Sequence, residues 1–261
     1  MRANLQLALS LSLEDQDQAV YMMKSQHLQN WLRTPKSSIL LVDGGARGSG
    51  SQLSPLGFVC AKLANALRQA RGSFTSSSET KIINLYFFCG EHRDWRDNPD
   101  NGPAGVMNSL LAQLLTQYKH FDLSLIKHLS TLDSGDTKAL ANIFGKLLTQ
   151  LPSKMIVFCI IDGVSFYDDE ERSEVCQILL KKLVSFSRRH ERKGAGVFKL
   201  LLTAPLGLRV AVVDELDEEE ILRIPEGLGK GGGFTDMNWD IGAGKDIADL
   251  SKIQRLQVVG S

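Results

Sequence analysis

The residues whose types and spacing point to chemistry lie between Ile39 and Gln52, Ile-Leu-Leu-Val-Asp-Gly-Gly-Ala-Arg-Gly-Ser-Gly-Ser-Gln. An apolar run leads into four glycines within seven residues, Gly44, Gly45, Gly48 and Gly50, and an amphipathic run begins at Leu56. A strand, a glycine-rich turn and a helix in that order bring backbone N–H groups around a phosphate at the helix N-terminus. The spacing that serves triphosphates is G-x-x-x-x-G-K-[ST]. Gly45-Ala-Arg-Gly-Ser-Gly50 supplies the two glycines. Ser51 stands where the lysine belongs, and Gln52 where the magnesium-binding hydroxyl belongs. Arg47 is the loop's only cation and a candidate to meet a phosphate in the lysine's place. Two readings stand: a phosphate cradle that has lost its cation, or a glycine-rich turn with no ligand.

Two further strand ends carry candidate groups, because ligands of open α/β sheets gather at the carboxyl ends of strands. Ile156–Ile161 is apolar and closes in Asp162. A carboxylate after a buried strand is the usual magnesium partner of triphosphate-binding loops. Phe198–Leu202 closes in Thr203-Ala204-Pro205, and Thr203 reads either as a sensor of a terminal phosphate or as a strand-closing residue. No carboxylate follows Asp162 directly, so no base that would activate water is visible. A fourth segment, Gly90–Asp97, concentrates His92, Arg93, Trp95 and Arg96 and reads as a charged surface loop or a binding patch.

The elements that must position these groups follow from hydrophobic periodicity. Residues 1–34 read as helical, with Val20, Met23, His27 and Trp31 at helical spacing and Thr34-Pro35 as the stop. Strands are expected at Lys36–Val42, Ile82–Cys89, Met155–Ile161, Val197–Thr203 and, shorter, Glu220–Pro225, where proline favours an edge. Helices are expected from Pro55, over Val106–Tyr118, Leu123–Leu129, Thr137–Leu151 and Asp169–Arg189. Leu206–Val213 reads equally as helix or strand, and Lys245–Leu256 as helix. Strands alternating with helical crossovers predict an α/β fold, a parallel five-stranded sheet with helices on both faces; the phosphate-loop spacing after its first strand would make that sheet P-loop NTPase-like. The organisation expected is an N-terminal helical segment (1–35), the α/β domain (36–226), and a glycine-rich break with a tail or helix (227–261).

The 261 residues suit one large α/β domain or two small ones. Lys plus Arg and Asp plus Glu number 30 each, so charge makes no case for nucleic acid or an anionic membrane. No apolar stretch reaches the ~18 residues of a membrane span, and the N-terminus reads as an amphipathic helix rather than a leader. Cys60, Cys89, Cys159 and Cys176 are widely spaced in apolar runs. They read as buried thiols of a reducing compartment, hence cytoplasmic.

Five segments in order carry a resemblance: Trp31-Leu through Ser38-Ile-Leu-Leu-Val-Asp-Gly-Gly, Asn84-Leu-Tyr-Phe-Phe-Cys, Gly105-Val-Met-Asn-Ser-Leu-Leu-Ala-Gln-Leu-Leu115, Ile156–Asp162, and Phe198-Lys-Leu-Leu-Leu-Thr-Ala-Pro205. Over about residues 25–226 the chain resembles the nephrocystin-3-like, NACHT-related branch of the STAND P-loop NTPases, signalling switches abundant in fungi. The resemblance implies a phosphate loop at Gly45, Gly50 and Ser51, a magnesium-side carboxylate at Asp162 and a sensor at Thr203. It departs at Ser51, at Gln52 and at Ala204-Pro205, which lacks the arginine of the family's "TSRP". The expectation is a non-catalytic binding or signalling scaffold with a protein partner, open to homo-oligomerisation and without a cofactor. The alternative is a switch that binds ATP or GTP with magnesium weakly.

Overall fold

The computed structural model describes residues 1–6, 11–45, 54–72, 81–93, 101–126, 133–193, 196–209, 211–228 and 232–250. Five strands form one parallel sheet: β1 (Ser38–Asp43), β2 (Lys81–Phe88), β3 (Met155–Asp162), β4 (Val197–Ala204) and β5 (Ile221–Arg223). Their order across the sheet is β2-β3-β4-β1-β5. β1 therefore lies inside the sheet between β4 and β5, and the chain leaves it through the glycine-rich segment to α4 (Pro55–Gly72). This is the α/β, P-loop NTPase-like arrangement that the apolar runs predict, including the short fifth strand at an edge.

Side chains alternate between two helical layers, as the pleat requires. From β3, Val157, Cys159 and Ile161 enter one core, and Phe158 and Ile160 enter the other. The first core is completed by α5 (Pro103–Gln117), α6 (Thr137–Leu148) and α7 (Ser173–Lys193). The second is completed by α4 with α2 (Leu13–Lys24) and α3 (Gln26–Arg33). Trp239, Ala243, Ile247 and Leu250 join that second layer, from α8 (Asp236–Trp239) and the helical turns after it. The Lys62 ammonium fastens this segment to α4. It lies 4.4 Å from the Phe234 ring centre and 2.9 Å from Asp236 Oδ1.

Local chemistry sets the helix starts. Ser12 and Ser25 accept N–H bonds as N-caps of α2 and α3, and Asp136 does so for α6. The ambiguous stretch 206–213 is neither helix nor strand throughout: a turn follows β4, and a 3-10 helix covers Ala211–Glu215. Only Leu123–Ile126 of the helix expected at Leu123–Leu129 is described, as 3-10 turns. The helix expected at Lys245–Leu256 is present over 245–250, and the remainder lies outside the described residues. All four cysteines are free and buried.

Candidate functional site

Asp162 and Thr203 meet at the carboxyl end of the sheet. β3 and β4 run in parallel register up to Ile161 opposite Leu202, so the next residue of each strand stands beside its neighbour. The Thr203 hydroxyl donates to Asp162 Oδ1 over 2.7 Å and accepts the Gly163 N–H over 2.9 Å. Asp162 is 2% exposed and Thr203 fully buried. Burial raises the Asp162 pKa to about 6; the Thr203 bond acts against that rise, and the charge of Glu91 adds to it.

The other carboxylate oxygen is walled in. A Cβ on Gly57, in the first turn of α4, would stand 2.8 Å from Asp162 Oδ2 and 2.8 Å from Asn4 Oδ1. Only a glycine lets the helix approach this closely. Asn4, on the short helix α1 (Arg2–Gln6), is 1% exposed and donates through Nδ2 to Glu91 Oε1 over 2.7 Å. Its Oδ1 has no hydrogen-bond partner among the described residues.

Of the phosphate-loop positions, Gly45 is described. It has φ +74°, and its N–H donates to the Asp43 carboxylate over 2.9 Å, a turn closed by the aspartate that ends β1. Arg47, Gly48, Gly50, Ser51 and Gln52 lie outside the described residues, as do Trp95 and Arg96. Beyond the loop, Ser54 precedes α4 and its hydroxyl accepts the Gly57 N–H over 2.9 Å. Pro55 opens the helix without an N–H. Two of the positions through which a helix start grips an anion are thus closed by the chain itself.

Five residues of this site escape a motif search: Asn4, Asp43, Ser54, Gly57 and Glu91. Three carry a local signal. Asp before Gly-Gly is a turn signature, Ser-Pro is a cap followed by a first-turn proline, and a glycine one turn into a helix marks close approach. Asn4 and Glu91 are 87 positions apart, and nothing local pairs them.

Among the described residues, no three His, Cys, Asp or Glu side chains gather as a metal site. Magnesium prefers several oxygens and keeps its waters. Of the positions singled out for magnesium, Asp162 is described, with Oδ1 bonded to Thr203, and position 52 lies outside the described residues. No helix among the described residues is long and apolar enough to cross a membrane.

The family model described as nephrocystin 3, N-terminal, matches residues 20–205, well over half of the chain. No curated protein matches the sequence. A solved structure of C. elegans PCH-2 is similar at 17% identity and a TM-score of 0.21, covering 66% of this chain and 43% of that one. The chain therefore spans less than half the length of that protein, and a TM-score of this size carries no weight for function.

Proposed function

The chain belongs to the nephrocystin 3 N-terminal family, and we propose that it is a degenerate member of the NACHT-related STAND group: a P-loop-type domain that acts as a binding or signalling scaffold without turning over nucleotide. One observation carries this reading. The N–H donors on either side of the loop serve the chain's own side chains, Gly45 bonding to Asp43 and Gly57 to Ser54. At those two flanking positions an arriving phosphate would meet an acidic residue and a capped helix in place of two open donors. The absence of lysine at position 51 acts in the same direction. Losing a cation that meets a buried phosphate costs roughly 2–5 kcal/mol of affinity, and hydrolysis suffers further because that charge also steadies the transition state.

The Asp162–Thr203 pair favours a second reading, a weak ATP or GTP switch, because both candidate contacts survive side by side. Calorimetric titration of the chain with ATP and GTP in the presence of magnesium separates the two. The scaffold reading expects no binding in the micromolar range. Micromolar binding that weakens in Asp162→Ala would establish the switch instead. The scaffold's partner is a protein, a second copy of the chain included, and four buried free thiols support a cytoplasmic setting.

A further inference from the structure

β2 is an edge strand: among the described residues nothing pairs with it on the side away from β3. Successive residues of a strand point their N–H and C=O groups to alternate sides, so the outward ones recur every second residue. Two such residues, Asn84 and Tyr86, are nevertheless satisfied, each by one glutamine of α5. Gln117 Oε1 accepts the Asn84 N–H over 3.1 Å, and its Nε2 donates to the Asn84 carbonyl over 2.8 Å. Gln113 Oε1 accepts the Tyr86 N–H over 3.0 Å, and its Nε2 donates to the Tyr86 carbonyl over 2.8 Å. Nε2 of Gln113 also donates to Ser109 Oγ over 3.0 Å, one helical turn back.

The match has a geometric cause. Four residues of helix rise about 6.0 Å, and two residues of strand advance about 6.6 Å. Glutamines at i and i+4 of a helix laid antiparallel along the strand therefore fall opposite residues j and j−2. A primary amide offers the same acceptor and donor pair as a peptide group. The two side chains reproduce what a neighbouring strand would supply.

We propose that Gln113 and Gln117 form an amide latch that stands in for a sixth strand and keeps the β2 edge from pairing with β2 of a second copy. Open edges are templates for such pairing, and chains protect them. Beside the latched edge lies a cavity of about 290 Å³ lined by Arg68, Asn84, Tyr86 and Thr116 as well as the glutamines. The latch stands apart from the reading of the strand ends, since it involves none of those residues.

The test replaces each glutamine by methionine, which keeps length and helix preference but removes the amide. Backbone-resolved hydrogen exchange on the full chain is the readout. Gln113→Met should speed exchange of the Tyr86 amide about tenfold and leave Asn84 unchanged, with the converse for Gln117→Met. The double variant should self-associate in sedimentation at concentrations where the parent does not. The Asn84 and Tyr86 amides should then regain protection as concentration rises. Unchanged exchange in the single variants overturns the proposal even if the double variant does not fold. So does a double variant that fails to associate, or one that associates while both amides stay exposed.

Discussion

The hydroxyl of Thr203 reaches Asp162 Oδ1 over 2.7 Å, binding together the side chains that close two neighbouring strands. With Gly57 against Oδ2, the carboxylate is enclosed by protein on both oxygens. That enclosure has a cost that depends on pH. The folded pKa of about 6 lies above the ordinary 3.8, so the folded state holds its proton more tightly than the unfolded chain. The stabilisation is complete below pH 3.8 and is lost as pH rises through about 6. At 1.36 kcal/mol per pH unit the loss is about 3 kcal/mol by neutral pH. Asp162→Asn keeps an oxygen for Thr203 and carries no charge. Urea denaturation should find it more stable than the parent at pH 7.5, by up to about 3 kcal/mol, and nearly equal at pH 4. A variant less stable at both values would show that the carboxyl's own contacts outweigh the cost of burying its charge.

Gly57 tests the same contact from the helix side. In an open helix, alanine is favoured over glycine by about 1 kcal/mol. Here the added methyl would stand 2.8 Å from Asp162 Oδ2 and from Asn4 Oδ1, inside van der Waals contact. Gly57→Ala is therefore expected to lower stability by about 1–3 kcal/mol despite its better propensity. Equal or greater stability in a thermal melt would mean that α1 and α4 move apart at little cost.

Lys199 is a charge inside the sheet. It is 1% exposed, and its ammonium donates to the carbonyls of Trp31, over 2.5 Å, and Thr34, over 2.7 Å, at the C-terminal end of α3. That end of a helix carries partial negative charge and unpaired carbonyls, so the lysine caps it from beneath. Burial lowers its pKa from 10.5 to about 7. The unfolded chain thus binds the proton more tightly, and stability rises with pH from about 7 towards 10.5. Lys199→Met should lose this rise and be less stable at pH 9 by about 2–4 kcal/mol, because both carbonyls lose their donor. Denaturation at pH 7 and pH 9 of parent and variant checks the slope. Parallel slopes would show that Lys199 stays charged throughout.

How legible these features were in the sequence depends on how local their causes are. The five strands were readable because buried parallel strands are short unbroken apolar runs. Asp162 and Thr203 were readable because ligand groups collect at strand ends, and the register of β3 with β4 then brings them together. Lys199 was visible as one charge within Phe198–Leu202, yet its acceptors lie 165 and 168 positions away. The Asn4–Glu91 contact is equally nonlocal. The glutamine pair has helical spacing, but its meaning needs β2 to be an edge, which strand order decides and local pattern does not. The stretch 206–213 stayed ambiguous because its apolar residues pack as turns and 3-10 helix, which have no long period to detect.

The loop itself offers the last test. If the sheet keeps the shape of a phosphate cradle and lacks only its side chains, Ser51→Lys with Gln52→Thr should restore nucleotide binding. A lysine on a buried phosphate contributes roughly 2–5 kcal/mol, about 30-fold to several-thousand-fold in affinity. The self-closed donors should hold the gain towards the lower end, since the Asp43 carboxylate still holds the Gly45 N–H. Adding Asp43→Asn to the pair removes that negative charge and should raise affinity again. Calorimetry with ATP and magnesium measures both steps, and far-ultraviolet circular dichroism confirms the fold. A folded double variant with no gain would mean that the cradle's shape has gone together with its lysine. A double variant already at full affinity, unmoved by Asp43→Asn, would mean that the Asp43 turn never stood in the way.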